Sequence, residues 1–246
     1  MDHHVIGIDE VGWGCIAGPL VVCACSVPFG NWDILREKGF RDSKLVGNRI
    51  KVGKTQRPTR YTDGKCTHLA EWLSAPEQQG LATWALCQVE VGTLNTNRNP
   101  LDVKDEAFRR ALLMLMTANK WDASQVDVII DGERRIPTIP SNIHQEAFTE
   151  ADKEFLPASV ASVIAKSYRD KQMVLLGTQY PGYGFDQHKG YGTEAHVQAL
   201  LKYGMIKDTY RLAFTRSRII THWKKLTDRD KSRAPLPQWA KELCGL

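Results

Sequence analysis

The sequence predicts a single α/β domain with a smaller helical part at its C-terminal end. Three observations carry that reading: short Val- and Ile-rich runs bounded by glycine and proline, a long segment with apolar residues at helical spacing, and no linker long enough to separate two domains.

Taken in order, His4 to Asp9 and Pro19 to Val27 read as two strands of a hairpin-like pair, because each is short, β-branched and closed by turn residues. Ala82 to Val91 reads as a weaker strand. From Lys104 to Lys120 apolar residues recur at Ala107, Phe108, Ala111, Leu112, Leu115 and Met116, the spacing of one buried helix face. Acids at the start of that segment and Asn119-Lys120 at its end suit the helix dipole. VDVIID, Val126 to Asp131, suits a buried strand ended by Gly132. Ser159 to Leu176 and Thr193 to Tyr203 read as helices, with the glycine-rich loop YPGYGFDQHKGYG between them. The tail from Ile219 has a helical pattern interrupted by RAPLP and a last short helix from Gln238.

Composition narrows the function classes. With 42% apolar residues in 246, the chain can bury a sizeable core, which excludes disorder as its main state. No run of 18 apolar residues appears, and MDHHVIGID lacks the regions of a secretory signal, so a cytoplasmic protein with no membrane partner is expected. Six cysteines without a C-x-x-C pair are expected to be reduced and buried, and a structural zinc site is not expected. Lys and Arg exceed Asp and Glu by 33 to 28. From Arg41 to Lys65 eight basic residues face two acidic ones. Such a run is either a solvated surface or an electrostatic footprint for a phosphate backbone.

The chemistry-bearing residues are carboxylates. Asp9 and Asp131 each end an apolar strand and each precede a turn glycine, the place where α/β proteins hold reactive groups on a rigid sheet. Ordinary turn chemistry explains either aspartate taken alone. Asp9 and its neighbour Glu10 point to opposite faces of a regular strand, so they would converge only if the strand ended between them, which Gly12 and Gly14 permit. Clustered carboxylates repel unless a cation sits among them. Their oxygens select magnesium or manganese, and two such ions about 4 Å apart would clamp an in-line attack on a phosphodiester.

Five blocks in order, GIDEVGWGCIAGPLVV, RDSK, VIIDG, ADKEFLPASVASVIAKSYRD and YPGYGFDQHKGYGTEAH, resemble the ribonuclease HII family from Val5 to about Phe214. The resemblance implies a ribonuclease H-like fold with a central mixed β-sheet flanked by helices. It also implies a catalytic domain at residues 1–214 and a helical extension at 215–246 packed on it as one structural unit. The metal-binding acids would be Asp9, Glu10, Asp131 and Asp152, with two Mg2+ or Mn2+ ions per site. Asp170 would be a structural or ion-paired helix residue. Substrate would be held by Gly12, Trp13, Gly14, Lys44, Lys166, Arg169, Lys189 and Tyr191. Tyr191 would pack on the deoxyribose after the ribonucleotide, and the lysines and Arg169 would hold phosphates without reading sequence. The turn at residues 12–14 would sense the 2′-hydroxyl through its backbone. Trp13 stands where the family has arginine, which removes a guanidinium contact while leaving the amides.

The implied function is an endonuclease, a monomer, that hydrolyses the RNA strand of RNA/DNA hybrids and cuts 5′ of ribonucleotides embedded in duplex DNA. It would leave a 3′-hydroxyl and a 5′-phosphate. The alternative is a hybrid-binding protein of the same fold whose cleavage is weakened by the altered turn. A junction resolvase of the same superfamily is a further alternative, for which HKGYG and ASVIAK are not expected features.

Overall fold

The computed structural model describes residues 3–40, 63–97, 99–226 and 235–245. Lys44 and most of the basic stretch from Arg41 to Lys65 lie outside them.

Five strands form one mixed sheet: β1 (His4–Val11), β2 (Leu20–Ser26), β3 (Thr83–Val89), β4 (Val126–Asp131) and β5 (His144–Phe148), in the spatial order β3-β2-β1-β4-β5. β1 runs antiparallel to β2 and parallel to β4, and β4 runs parallel to β5. All of β2, LVVCACS, is buried, as its unbroken apolar run requires of a strand covered on both faces. β5 is an edge strand, and its sequence HQEAF carries no apolar run, in keeping with residues that are all exposed or half-buried.

Helices α1 (Trp32–Lys38), α2 (Asp63–Leu73), α3 (Val91–Thr96), α4 (Pro100–Asn119), α5 (Ala151–Glu154) and α6 (Leu156–Gln179) precede α7 (Phe185–His188), α8 (Glu194–Tyr203), α9 (Leu212–Lys225) and α10 (Gln238–Cys244). The architecture is the mixed sheet flanked by helices that the sequence implies. All six cysteines are free and buried, as expected of apolar thiols. Among the described residues no helix is long and apolar enough to cross a membrane.

The chain divides into two compact units. The first comprises Met1–Val11, Val21–Gln88 and Lys104–Tyr168 and contains nearly all of the sheet. Its β1 carries Gly7 because the α6 backbone comes so close: a Cβ there would lie 2.1 Å from the amide nitrogen of Ala158. Val5, Ile129, Ala151, Phe155 and Ala158 pack around that approach, so the α5–α6 junction is seated on β1 and β4. A second cluster joins Val11, Val21, Cys23 and Cys25 to Val160, Val163 and Ile164 of α6.

The second unit comprises Gly12–Leu20, Val89–Val103 and Arg169–Leu246. Its core holds Ile16, Met173, Phe185, Leu200, Tyr210 and Ile219, with Ala240 and Cys244 of α10. Thr193 caps α8 by accepting from the His196 amide, which satisfies one of the helix's open N–H groups.

Candidate active site

The first unit brings three carboxylates together by strand register. Ile8 of β1 faces Ile130 of the parallel β4, so the next residue on each strand, Asp9 and Asp131, stand side by side with side chains on the same face. Asp152 arrives from α5, where the Ser159 hydroxyl donates to its backbone carbonyl at 2.5 Å. One carboxylate oxygen from each of Asp9, Asp131 and Asp152 lies within 4.8 Å of the others.

The electrostatics of this cluster are unfavourable without a cation. Asp9 is 5% exposed and Asp152 1%. Burial, and then the neighbouring charges of Glu10, Asp131 and Asp152, push the Asp9 carboxyl well above the ordinary range, against a hydrogen bond from Ser162 that lowers it. Oδ1 of Asp131 is buried with no hydrogen-bond partner among the described residues. An all-oxygen donor set, crowded negative charge and an orphaned buried oxygen fit a hard divalent cation. Ser162 was not among the residues singled out in the sequence; ASVIAK shows it only as a small helix residue, and its partner becomes visible once α6 lies on β1.

Glu10 is placed differently. β1 does not end at Asp9 but continues to Val11, so alternation turns Glu10 to the opposite face, with Ile6 and Ile8. There its Oε1 accepts from Nζ of Lys104 on α4 at 2.6 Å. Burial raises the Glu10 carboxyl, while Lys104 pulls it back down. The convergence of Asp9 and Glu10 through a turn, which the glycines would permit, is thus not what the backbone does: the turn begins at Gly12, two residues later. Lys166 lies one helical turn beyond Ser162 on α6 and is half-buried.

The second unit contains the turn and the glycine-rich loop. Gly12 has φ +93, and a Cβ on it would meet Arg169 Nε at 2.2 Å. Gly14 is exposed with nothing within 4 Å of a would-be Cβ, so its neighbourhood is open. Trp13 is half-buried, edge-on to Phe214 with ring centroids 5.8 Å apart. Two fully buried arginines hold the turn by its carbonyls. Arg211 donates through Nη1 to Gly12 O at 2.6 Å and Trp13 O at 3.0 Å, and through Nε to Gly18 O at 2.9 Å. Arg169 donates to the carbonyls of Pro19, Lys189 and Ala17. Burial, then the charge of Arg169, lowers the Arg211 guanidinium to about 10.

Arg169 was expected at a phosphate. It is instead 0% exposed, with its donors on backbone carbonyls. Lys189 is also buried, in a left-handed conformation at φ +48, and its ammonium donates to the Asp186 carbonyl. Asp170, the neighbour of Arg169, is a buried residue of α6. Tyr191 bridges to Cys15, donates its amide to His188 O and accepts from His196 Nδ1 at 3.0 Å. His188 and His196 stack with centroids 3.7 Å apart. His188 Nε2 donates to Tyr183 O while its Nδ1 accepts from Gly190 N, and His196 Nε2 meets the Tyr210 hydroxyl, so both rings are held neutral. Burial, then His188, lowers His196 to about 3. Both histidines lie within HKGYGTEAH, yet their partners are backbone atoms and a distant tyrosine, which spacing does not reveal.

The family model described as Ribonuclease HII matches residues 6–52 and 86–218. The chain is 32% identical over 201 residues to ribonuclease HII of Shouchella clausii, covering 82% of this chain and 64% of that protein. It is 32% identical over 213 residues to ribonuclease HII of Synechococcus elongatus, covering 87% and 86%. The crystal structure of ribonuclease H2 from Pyrococcus horikoshii superposes with a TM-score of 0.65 at 21% identity, covering 91% of this chain and all of that one, and shares its fold. A matched family model, relatives near one-third identity over most of the chain and a shared fold agree: the chain belongs to the ribonuclease HII family of ribonuclease H hydrolases.

Proposed function

We propose that the chain is an endonuclease that hydrolyses the RNA strand of RNA/DNA hybrids and cuts on the 5′ side of ribonucleotides embedded in duplex DNA, leaving a 3′-hydroxyl and a 5′-phosphate. The observation that carries this reading is the meeting of Asp9, Asp131 and Asp152 oxygens within 4.8 Å, in a setting that pushes the buried Asp9 carboxyl well above its ordinary range. These three would hold Mg2+ or Mn2+, two ions per site, and Glu10 would join them. Ions held there supply positive charge against the scissile phosphate and lower the pKa of water.

The remaining work falls to the chain's own groups. Ser162 fixes the orientation of the Asp9 carboxylate through its hydrogen bond. Lys166, half-buried on the same helix, would hold a phosphate as a point charge. With the carbonyls of Gly12 and Trp13 turned onto Arg211, the backbone of the turn would meet a 2′-hydroxyl, and open space around Gly14 would admit the sugar. Tyr191, held by its own backbone through His188 and His196, would offer its ring to the following deoxyribose. Lys44 would contribute a further phosphate contact, and Lys189 and Arg169 would serve by shaping the loop from which Tyr191 projects. Residues 1–214 would carry the catalysis, with 215–246 as a helical extension of a cytoplasmic monomer.

Three substrates test the proposal, each with magnesium and with manganese: a duplex with one ribonucleotide, a uniform RNA/DNA hybrid and a four-way DNA junction. Cutting of the hybrid and beside the lone ribonucleotide is expected. Binding without cutting would favour the hybrid-binding alternative, and cutting of the junction alone would contradict the proposal.

A further inference from the structure

Lys104 has no part in the acidic cluster, yet its ammonium lies 2.6 Å from Glu10, and both side chains are mostly buried, at 18% and 13% exposed. Exposed ion pairs form and break freely and carry little energy; a pair this enclosed has lost much of its hydration and holds its geometry. The Lys104 ammonium is further placed 5.4 Å from the centroid of Phe108, one turn along α4, which limits where it can swing. Glu10 in turn directly follows Asp9 on β1, and its amide donates to Asp9 Oδ1 at 2.6 Å. Lys104 therefore places a fixed positive charge beside the four acids, on the one carboxylate of the set that lies outside the three-way meeting of Asp9, Asp131 and Asp152.

We propose that Lys104 is a positioning residue that acts as a built-in counter-cation: it pairs with the Glu10 carboxylate, which β1 already turns from the three aspartates, and a divalent ion must displace it before Glu10 can serve as a ligand. The inference rests on the reading of the acidic cluster as the metal site. Two effects of the ammonium have the same sign. It competes for the Glu10 oxygen, and it repels an incoming divalent cation, so it lowers the affinity of the substrate-free protein for metal. In exchange it keeps a buried glutamate paired while the site is empty of cation, which one-sided removal of charge would leave exposed to its acidic neighbours.

The test is Mn2+ binding to the substrate-free protein, read from the electron paramagnetic resonance signal of free Mn2+. Lys104→Met and Lys104→Gln should each bind Mn2+ at least about fivefold more tightly than the parent, while Lys104→Arg, which keeps the charge, should stay within about twofold of it. Unchanged or weaker binding by both neutral variants overturns the proposal, as does tighter binding by the arginine variant equal to theirs. Asp9→Asn separates the two levels of inference: it should weaken Mn2+ binding strongly. If it instead binds like the parent, the acidic cluster is not the metal site and the role of Lys104 falls with it.

Discussion

The two units bury charge in opposite ways. In the first, Asp9, Asp131 and Asp152 face one another with like charges, and an Asp131 oxygen is left without a hydrogen-bond partner among the described residues. In the second, Arg169 and Arg211 are buried just as deeply, but six of their hydrogen bonds end on backbone carbonyls of residues 12–19 and 189. On the proposed reading the acidic region awaits a cation, whereas the carbonyls of Gly12 and Trp13 are already held, with Nη2 of Arg211 left without a hydrogen-bond partner among the described residues. Burial of a charge thus signals a ligand site in one place and a scaffold in the other; the partners decide which.

The contrast can be broken at either end. Asp131→Asn removes a charge that the proposed ions would need, and magnesium-dependent cleavage of a hybrid should fall roughly 1000-fold while the fold is retained. Full activity in that variant would remove the acids from the mechanism. Arg211→Met removes the side-chain donor from the carbonyls of Gly12, Trp13 and Gly18 and should lower stability by about 3 kcal/mol in urea titration. Arg211→Lys should recover only part of this, because one ammonium cannot reproduce the fork. The opposite sign is expected for Asp9→Asn in the presence of a chelator. Relieving like-charge repulsion should raise stability by about 1 kcal/mol, the usual trade of function against stability at a strained site.

A pH series sharpens the second unit further. His196 titrates near 6.5 when unfolded but only at about 3 in the fold, held among His188, Tyr210 and the Tyr191 carbonyl. Between those values the unfolded chain binds the extra proton, so the stability His196 contributes is complete above pH 6.5 and is lost as pH falls toward 3. His196→Gln should flatten the stability profile in that window, and an unchanged acid-side slope would show that the ring is not held neutral. The smallest effect is expected from Trp13→Arg, a change of about fivefold or less in affinity for the single-ribonucleotide duplex, because Trp13 packs on Phe214 while Arg211 already fixes the turn. A loss of folding in that variant would mean that Trp13 is part of the core.

Legibility from sequence followed the same physical divide. β1, β2 and β4 were readable because buried strands are unbroken apolar runs, and α4 and α8 because one face repeats at helical spacing. β5 was not, since an edge strand of sequence HQEAF has no such signal. Within the site, Asp9 and Asp131 could be paired by their matching places at strand ends. Asp152 looked like an exposed acidic turn and came only through the family's block pattern; in the structure it is buried. The long-range partners were invisible: Lys104 with Glu10 is 94 residues away, and Arg211 with Gly12 is 199 away. Arg169, given a phosphate by the family resemblance, is fully buried with its donors on backbone carbonyls, partners that its place in the motif does not reveal.

Hydrogen exchange with and without Mn2+ tests the central contrast most directly. Added Mn2+ should slow exchange at the C-terminal ends of β1 and β4 and across α5 and the first turns of α6, around Asp9, Asp131 and Asp152, while residues 12–19 and 188–191 are equally protected in both conditions. Protection that rises equally in both regions, or only at residues 12–19 and 188–191, would contradict the proposal that the acidic cluster awaits a cation while the turn is held without one.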